Sequence, residues 1–326
     1  MTTILFRPFD LGKWFALGFS AWLAMLGQNG SSGSGGGGSS ESGNSEGNDS
    51  TSDATLAEFL QPLLDFYQEH QTLILYGGVA LVILFLVIAV LFIWLSSRGK
   101  FMFLDNVVHN RALVKAPWAQ FRSRGHSLFV WRLVFHLIAF VVAGGLVVSA
   151  LAYFAGAIGV DFGAETVESA LPEAVAWDPA WLIPLLGFGA AALLLITVFP
   201  YIGFLLESFV IPLMYQHDLS ATEAWRRFLK LHNARFGHFL LFALWNLLLW
   251  IPILFLVLAF VLLTCCLGGI LLAIPYLGAV TMLPITVFIR SLSLEFFRQF
   301  GEDYDVWEGL EDDGFFPEPP ALPAHR

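Results

Sequence analysis

The chain has 326 residues, 57% of them hydrophobic and only 13% charged, with 32 Phe, 11 Trp and a mean hydropathy of +0.72. Soluble domains carry about a quarter charged residues, so this composition excludes an ordinary soluble globular protein and points to a bilayer. The formal net charge of -10 is a poor guide to partners, because the charge is sorted: no Lys or Arg lies between Lys13 and Arg98 or between Arg132 and Arg226, while acids occur in both stretches and dominate residues 302–318. The positive-inside rule produces this pattern in a multi-pass membrane protein, by holding Lys and Arg in cytoplasmic loops.

A hydrocarbon layer about 30 Å thick takes roughly 20 apolar helical residues, and six runs are read as spans. The first, residues 11–26, is short, follows Arg7 and contains Lys13. A signal peptide has the same order of basic and apolar regions, but no small-x-small cleavage pattern ends the run, and a retained span is the preferred reading. Residues 27–53 hold Gly, Ser, Asn and acids with no apolar face, which predicts a flexible external linker. The triplets beginning at Asn29 and Asn48 fit the glycosylation pattern, although Ser-rich tracts also generate it by chance. Leu56, Phe59, Leu60, Leu63 and Leu64 are spaced for one helical face and lead into the second span, residues 73–95.

Arg98, Lys100, Arg111, Lys115, Arg122 and Arg124 place the next segment, residues 96–127, in the cytoplasm. The third and fourth spans, 128–153 and 181–201, enclose an acidic outer loop, with Trp177 and Trp181 at the outer interface, where indoles are favoured. Arg226, Arg227, Lys230 and Arg235 make residues 205–238 cytoplasmic. The fifth and sixth spans, 239–264 and 270–289, flank the adjacent Cys265 and Cys266, which are neither placed for an unstrained bridge nor spaced for a metal. Arg290 and Arg298 keep the acidic tail, residues 301–326, inside. The expected fold is a single-domain, all-α integral membrane protein with six transmembrane helices and both termini in the cytoplasm.

Two cytoplasmic segments read alike. Each carries an acid just inside a span (Asp105, Glu207), then a Trp-x-x-Phe pair beside arginines (Trp118 and Phe121; Trp225 and Phe228). Residues 6–15 resemble the last part of this unit and residues 289–300 the first part, so three pseudo-repeated hairpins are expected, parallel because each starts inside. Each is entered through an interfacial amphipathic helix. In the second of these, Ser220 and Glu223 form the S-x-x-E pattern of a capping box. Trp225, Phe228, Leu229 and Phe236 are assigned to an apolar face, while Arg226, Arg227, Lys230 and Asn233 point elsewhere. Such a helix either braces the spans or recruits anionic lipids with its basic face.

The strings RPFD…KWFALGFSAWLA, FMFLDNVV…W..FR and ESFVIPLMY…AW..F, beginning at Arg7, Phe101 and Glu207, resemble bacterial multi-pass proteins related to the membrane domain of glycerophosphoryl diester phosphodiesterases. The resemblance implies a six-helix membrane module without assigned activity. In relatives that are enzymes the phosphodiesterase is a separate soluble barrel, and this sequence contains neither that barrel nor its His-Arg-Gly motif.

Ionisable groups within spans are the first candidates for function. Arg132 and His136 lie four residues apart on one helix face. Arg132 is expected to snorkel to the cytoplasmic surface, with Glu207 placed to neutralise it across the third and fourth spans. The pair is either structural or a site for a proton or an anionic head group. Asn246, deeper in the fifth span, is expected to hydrogen-bond to a neighbouring helix. Pro184, Pro200, Pro212, Pro252, Pro275 and Pro284 lie within or beside the later spans, and each interior one is expected to kink its helix. Gly144 and Gly145 suggest close helix approach, and Gly268 and Gly269 a tight outer turn.

No metal cluster, nucleophile elbow or phosphate loop is present in the sequence. The expectation is a non-enzymatic, cofactor-free protein of a bacterial inner membrane, a scaffold or accessory subunit. Its partners would be the bilayer, anionic lipids included, and another membrane protein, with no nucleic acid. The alternative is a transporter or lipid-handling protein using kinked helices and the boundary charges, with Arg132, His136, Glu207, Asn246, Arg226, Arg227 and Lys230 as its polar or lipid-contacting residues.

Overall fold

The computed structural model describes residues 11–26, 71–160, 178–264 and 267–307, and every regular element among them is helical. The 27–53 linker, the 56–64 stretch, Trp177, the two cysteines and the tail beyond Trp307 lie outside the described residues. In chain order the helices are α1 (Leu11–Met25), α2 (Gln71–Val108), α3 (Lys115–Gln120), α4 (Arg122–Ile158) and α5 (Leu182–Leu205), the last preceded by a 3-10 turn at Pro179–Trp181. A π turn at Leu206–Val210 leads into α6 (Ile211–His217), followed by α7 (Ala221–Ala234), α8 (Phe236–Leu263), α9 (Leu267–Ala273), α10 (Pro275–Thr281) and α11 (Leu283–Arg298).

Four stretches are long and apolar enough to cross a membrane: Leu75–Val108, Arg122–Ile158, Pro179–His217 and Phe236–Leu263. A fifth is added if α10 and α11, bent by 60° at their junction, are taken as one span. Uninterrupted runs of Leu, Val, Ile and Phe suit helices in lipid, where each backbone polar group must be satisfied within its own segment. Almost none of the apolar stretches is buried in the protein. Phe85, Phe140, Leu194 and Leu254, for example, stand exposed.

The core lies elsewhere. It is an aromatic cluster built from the end of α2, the start of α4, the π turn, α6, α7, the start of α8 and α11. Phe209 is its hub, stacked on Phe228 at 5.5 Å and packed edge-on against Phe239 at 5.0 Å. The molecule thus divides into a packed head and long apolar arms, and α2 belongs to both. At 1.5 Å per residue its 38 residues extend about 57 Å, so the segment from residue 96 to Val108 continues the span helix into the head instead of forming a separate interfacial helix.

A smaller cluster, including Leu17, Ala21, Phe103, Leu283 and Val287, packs α1 against α2 and α11. The 15 residues of α1 extend about 22 Å, short of the roughly 30 Å of hydrocarbon. Gly99 explains its close fit on α2, since a Cβ there would come within 2.6 Å of the Leu23 backbone.

Two of the six prolines are not interior to a helix. Pro275 and Pro284 occupy the first turns of α10 and α11, where a missing N–H removes no helical bond. They start helices, and the run over 270–289 is divided at Ile274 and Met282. Pro200 and Pro252 do lie inside α5 and α8. Gly144 and Gly145 have nothing within 4 Å of an added Cβ, so no helix among the described residues approaches there, whereas Gly268 fits tightly against Thr264 and Phe260.

The capping box forms, with Ser220 accepting from the Glu223 N–H and the Glu223 carboxylate accepting from the Ser220 N–H. The apolar face of α7 turns inward: Trp225, Phe228 and His232 are buried in the head, while Leu229 is exposed and Phe236 begins the next helix, also exposed. This helix braces the head with that face.

The two similar segments also share geometry. Both end on a non-glycine residue with positive φ, Asn110 at 48° and Asp218 at 56°, and both stack a Phe pair, Phe101 on Phe121 and Phe209 on Phe228. Matching the two positive-φ ends sets Asp105 opposite Leu213, so Asp105 and Glu207 are not equivalent. Asp105 is a buried anchor of the head, held by Arg111 at 2.8 Å and by the Tyr215 hydroxyl at 3.0 Å.

Candidate functional site

Where the head meets the arms, four helices bring three cations around one carboxylate. The π turn creates the arrangement. The Ile211 N–H bonds to the Leu206 carbonyl, and in that register the Glu207 carbonyl would receive the N–H of residue 212, which Pro212 lacks. The guanidinium of Arg290, from α11, donates to that carbonyl instead. The Glu207 carboxylate accepts from Lys100 of α2, whose side chain is 5% exposed against 34% for Glu207.

Arg132 of α4 completes the cluster without touching the surface. It is buried, and its Nη1 donates to the hydroxyls of Ser96 at 3.1 Å and Ser97 at 3.2 Å. Those hydroxyls spend their own protons on the carbonyls of Ala24 and Ile93, which leaves oxygen lone pairs to face the guanidinium. The expected snorkelling is therefore replaced by capture on α2, and the link runs on to α1 through Ala24. Glu207 attracts Arg132 and Arg290 as well as Lys100, while both arginines repel Lys100. The expected partnership between Arg132 and Glu207 is thus a field between neighbours in a cluster where Lys100 makes a direct ion pair with Glu207. Arg290 Nε is buried without a hydrogen-bond partner.

The other candidate residues do not join this group. The exposed His136 donates Nδ1–H to the Arg132 carbonyl at 2.6 Å. Asn246 is buried, as a residue on an interhelical face should be, but its Nδ2 has no partner, contrary to the expected interhelical bond. On α7, Arg226 and Lys230 are exposed, and Arg227 reaches Asp303 at 3.1 Å. Gln216 and His217 also hold the carbonyls of Asp305 and Asp303, so the first residues of the tail are strapped across the head.

Nearby, Arg124 donates to Asp218 and holds its carboxyl below the usual carboxylate range. Ser220 does the same to Glu223 through its hydroxyl and backbone. Among the described residues no three His, Cys, Asp or Glu side chains gather as a metal site.

Sequence reasoning used Lys100 and Arg290 only to orient loops and passed over Ser96 and Ser97. The Ser-Ser pair just before Arg98 and Lys100, at the end of an uncharged apolar run, is the available signal. The π turn had only Pro212 to announce it.

These features define an all-helical protein with helices long and apolar enough for a membrane, and among the described residues the charges gather at a packed head. The chain belongs to the Family of unknown function (DUF7544), which it matches over residues 1–296. No curated protein and no solved structure is significantly similar to it.

Proposed function

We propose that this chain is a non-catalytic, multi-pass protein of a bacterial inner membrane, a scaffold or accessory subunit that contacts lipids or a membrane-protein partner. Its topology is six spans in three parallel hairpins, with both termini in the cytoplasm. The observation that carries the reading is the segregation of the molecule: apolar arms left unburied and a head that collects Arg98, Lys100, Arg111, Arg124, Arg132, Arg226 and Arg290. The matched positive-φ ends and stacked Phe pairs support the repeat for two of the hairpins. The packing of α1 on the head portion of α2 and on α11 supports its retention in the protein instead of removal as a signal peptide. The proposal includes kinship with the membrane domain of glycerophosphoryl diester phosphodiesterases, carried by the three motifs quoted above.

Single cysteines at Ser40, Ala170, Ser123 and Ala324 in a cysteine-free background test the topology. A membrane-impermeant thiol reagent applied to intact cells should label the first two only. Labelling of Ser123→Cys from outside would reverse the orientation and remove the reading.

Transport or lipid handling is the second reading. It is favoured by the excess of buried positive charge around Glu207, since such charge recruits an anion or a proton acceptor. Native mass spectrometry of the detergent-purified protein separates the two. A co-purifying protein supports the scaffold, and a retained small solute supports transport.

A further inference from the structure

A cleft of about 670 Å³ opens beside the junction of α2, α3 and α4, within the range of ligand pockets. Trp94, Arg98, Arg122, Ser123 and His126 line it, and no acid does. Arg98 is clamped between two indoles, its Cζ 4.5 Å from the Trp94 ring and 5.2 Å from that of Trp118, which fixes a long side chain that is otherwise costly to order. Its Nε is buried without a hydrogen-bond partner. Arg122 lies close enough for the two positive charges to oppose each other, and neither has an acidic partner among the described residues. The cleft also receives the first turn of α4, whose start has no side-chain cap. Two cations held together with no counter-charge, beside an uncapped helix start, suit an anion with several oxygens.

The walls decide which anion. One turn from Trp94, towards the apolar arm of α2, Val90 and Leu91 are exposed at 39% and 51%, and on α4 the series from His126 continues through Val130 and Val134 at 45% and 50%. These residues form an apolar lane that begins at the cationic cleft and runs along the arms. Tryptophan at the mouth of such a lane is the side chain favoured at a membrane interface. A free phosphate would use the cations and leave the lane bare, whereas a phospholipid occupies both.

We propose that this cleft is a head-group site for an anionic phospholipid, with Arg98 and Arg122 on the phosphate and an acyl chain along Val90, Leu91, Val130 and Val134. The assignment rests on the membrane reading above and adds a defined ligand and place to it. The occupied site would bind the start of α4 to α2, beside the Ser96–Arg132 contacts that join the same helices.

The full-length protein in detergent is titrated with phosphatidylglycerol, with phosphatidylcholine and with inorganic phosphate, and binding is followed by native mass spectrometry and by tryptophan fluorescence. Phosphatidylglycerol should bind in preference to phosphatidylcholine. Arg98→Gln and Arg122→Gln should each weaken it about fivefold, the equivalent of about 1 kcal/mol per interfacial charge. Arg98→Lys should recover part of the loss, and Arg235→Gln, an exposed charge outside the cleft, should have no effect. Arg122 is exposed, so its variant reports on binding even if Arg98→Gln fails to fold. Unchanged preference in Arg122→Gln overturns the site, as does inorganic phosphate that displaces the lipid at equal concentration. Lipid retained without head-group preference removes this inference alone, whereas a chain that fractionates with soluble proteins removes the membrane reading itself.

Discussion

Among the described residues Glu207 is the single carboxylate on which Lys100, Arg132 and Arg290 converge, so its removal has a different consequence from removal of any one cation. Without it, three like charges remain together with nothing to offset them. Glu207→Gln is expected to destabilise the detergent-solubilised protein by about 3 kcal/mol, the lower end for breaking a buried ion pair, because the side chain is 34% exposed. Lys100→Met should cost less, since it also relieves repulsion. Thermal melting of the single and double variants should show a coupling between about 0.5 and 3 kcal/mol for Lys100 with Glu207. The coupling of Arg132 with Glu207 should be smaller, and equal couplings in the two cycles would sink this ordering. At the level of single residues the sequence says that charges at the end of an apolar run must be compensated. It did not show which partner each would take, because the choice depends on a π turn and on hydroxyls whose protons are already committed.

Elements in the head are fixed by local rules that are legible in sequence and by close approaches that are not. The capping box of α7 belongs to the first kind: Ser220 and Glu223 sit at the required spacing and make both bonds. Because Ser220 holds the Glu223 carboxyl below its ordinary value, this contribution is fully present above the unfolded glutamate value of about 4.3 and is lost as pH falls through the lowered folded value. Ser220→Ala should lower the melting temperature at neutral pH, and the gap to wild type should narrow below about pH 4. A gap that stays constant down to pH 3 would rule out this origin. The packing of α1 on α2 belongs to the second kind. An alanine Cβ at Gly99 meets backbone of Leu23 and Ala24 at 2.6–2.7 Å, whereas one at Gly18 meets the side chain of Val280 at 2.5 Å. A side chain can rotate and a helix backbone cannot, so Gly99→Ala should cost about 1–3 kcal/mol and Gly18→Ala distinctly less. Melting temperatures of the two variants settle the comparison, and a larger loss at Gly18 would mean that α1 docks by another face.

On the scale of the whole molecule, composition and charge sorting were enough to announce long apolar helices and a basic side, because both depend only on which residues are adjacent in sequence. The head was illegible because its core joins Phe101, Phe121, Phe209, Phe228, Phe239 and Phe297 from six separate segments, and nothing in the distribution of thirty-two phenylalanines along the chain says which will meet. This division into head and arms makes the same substitution mean opposite things. Phe209 is 0% exposed and touches aromatic rings from four helices, whereas Phe140 is 76% exposed on the arm of α4. Phe209→Ala leaves a cavity in the head and should cost about 3–5 kcal/mol. Phe140→Ala only exchanges one apolar surface for a smaller one against detergent or lipid, which are as apolar as the side chain they replace, and its effect should stay within about 0.5 kcal/mol. Thermal melting of both variants in one detergent is the direct comparison. A comparable loss for Phe140→Ala would place that residue in a helix-to-helix or subunit interface, and the arms would then be packing surfaces for protein instead of walls facing lipid.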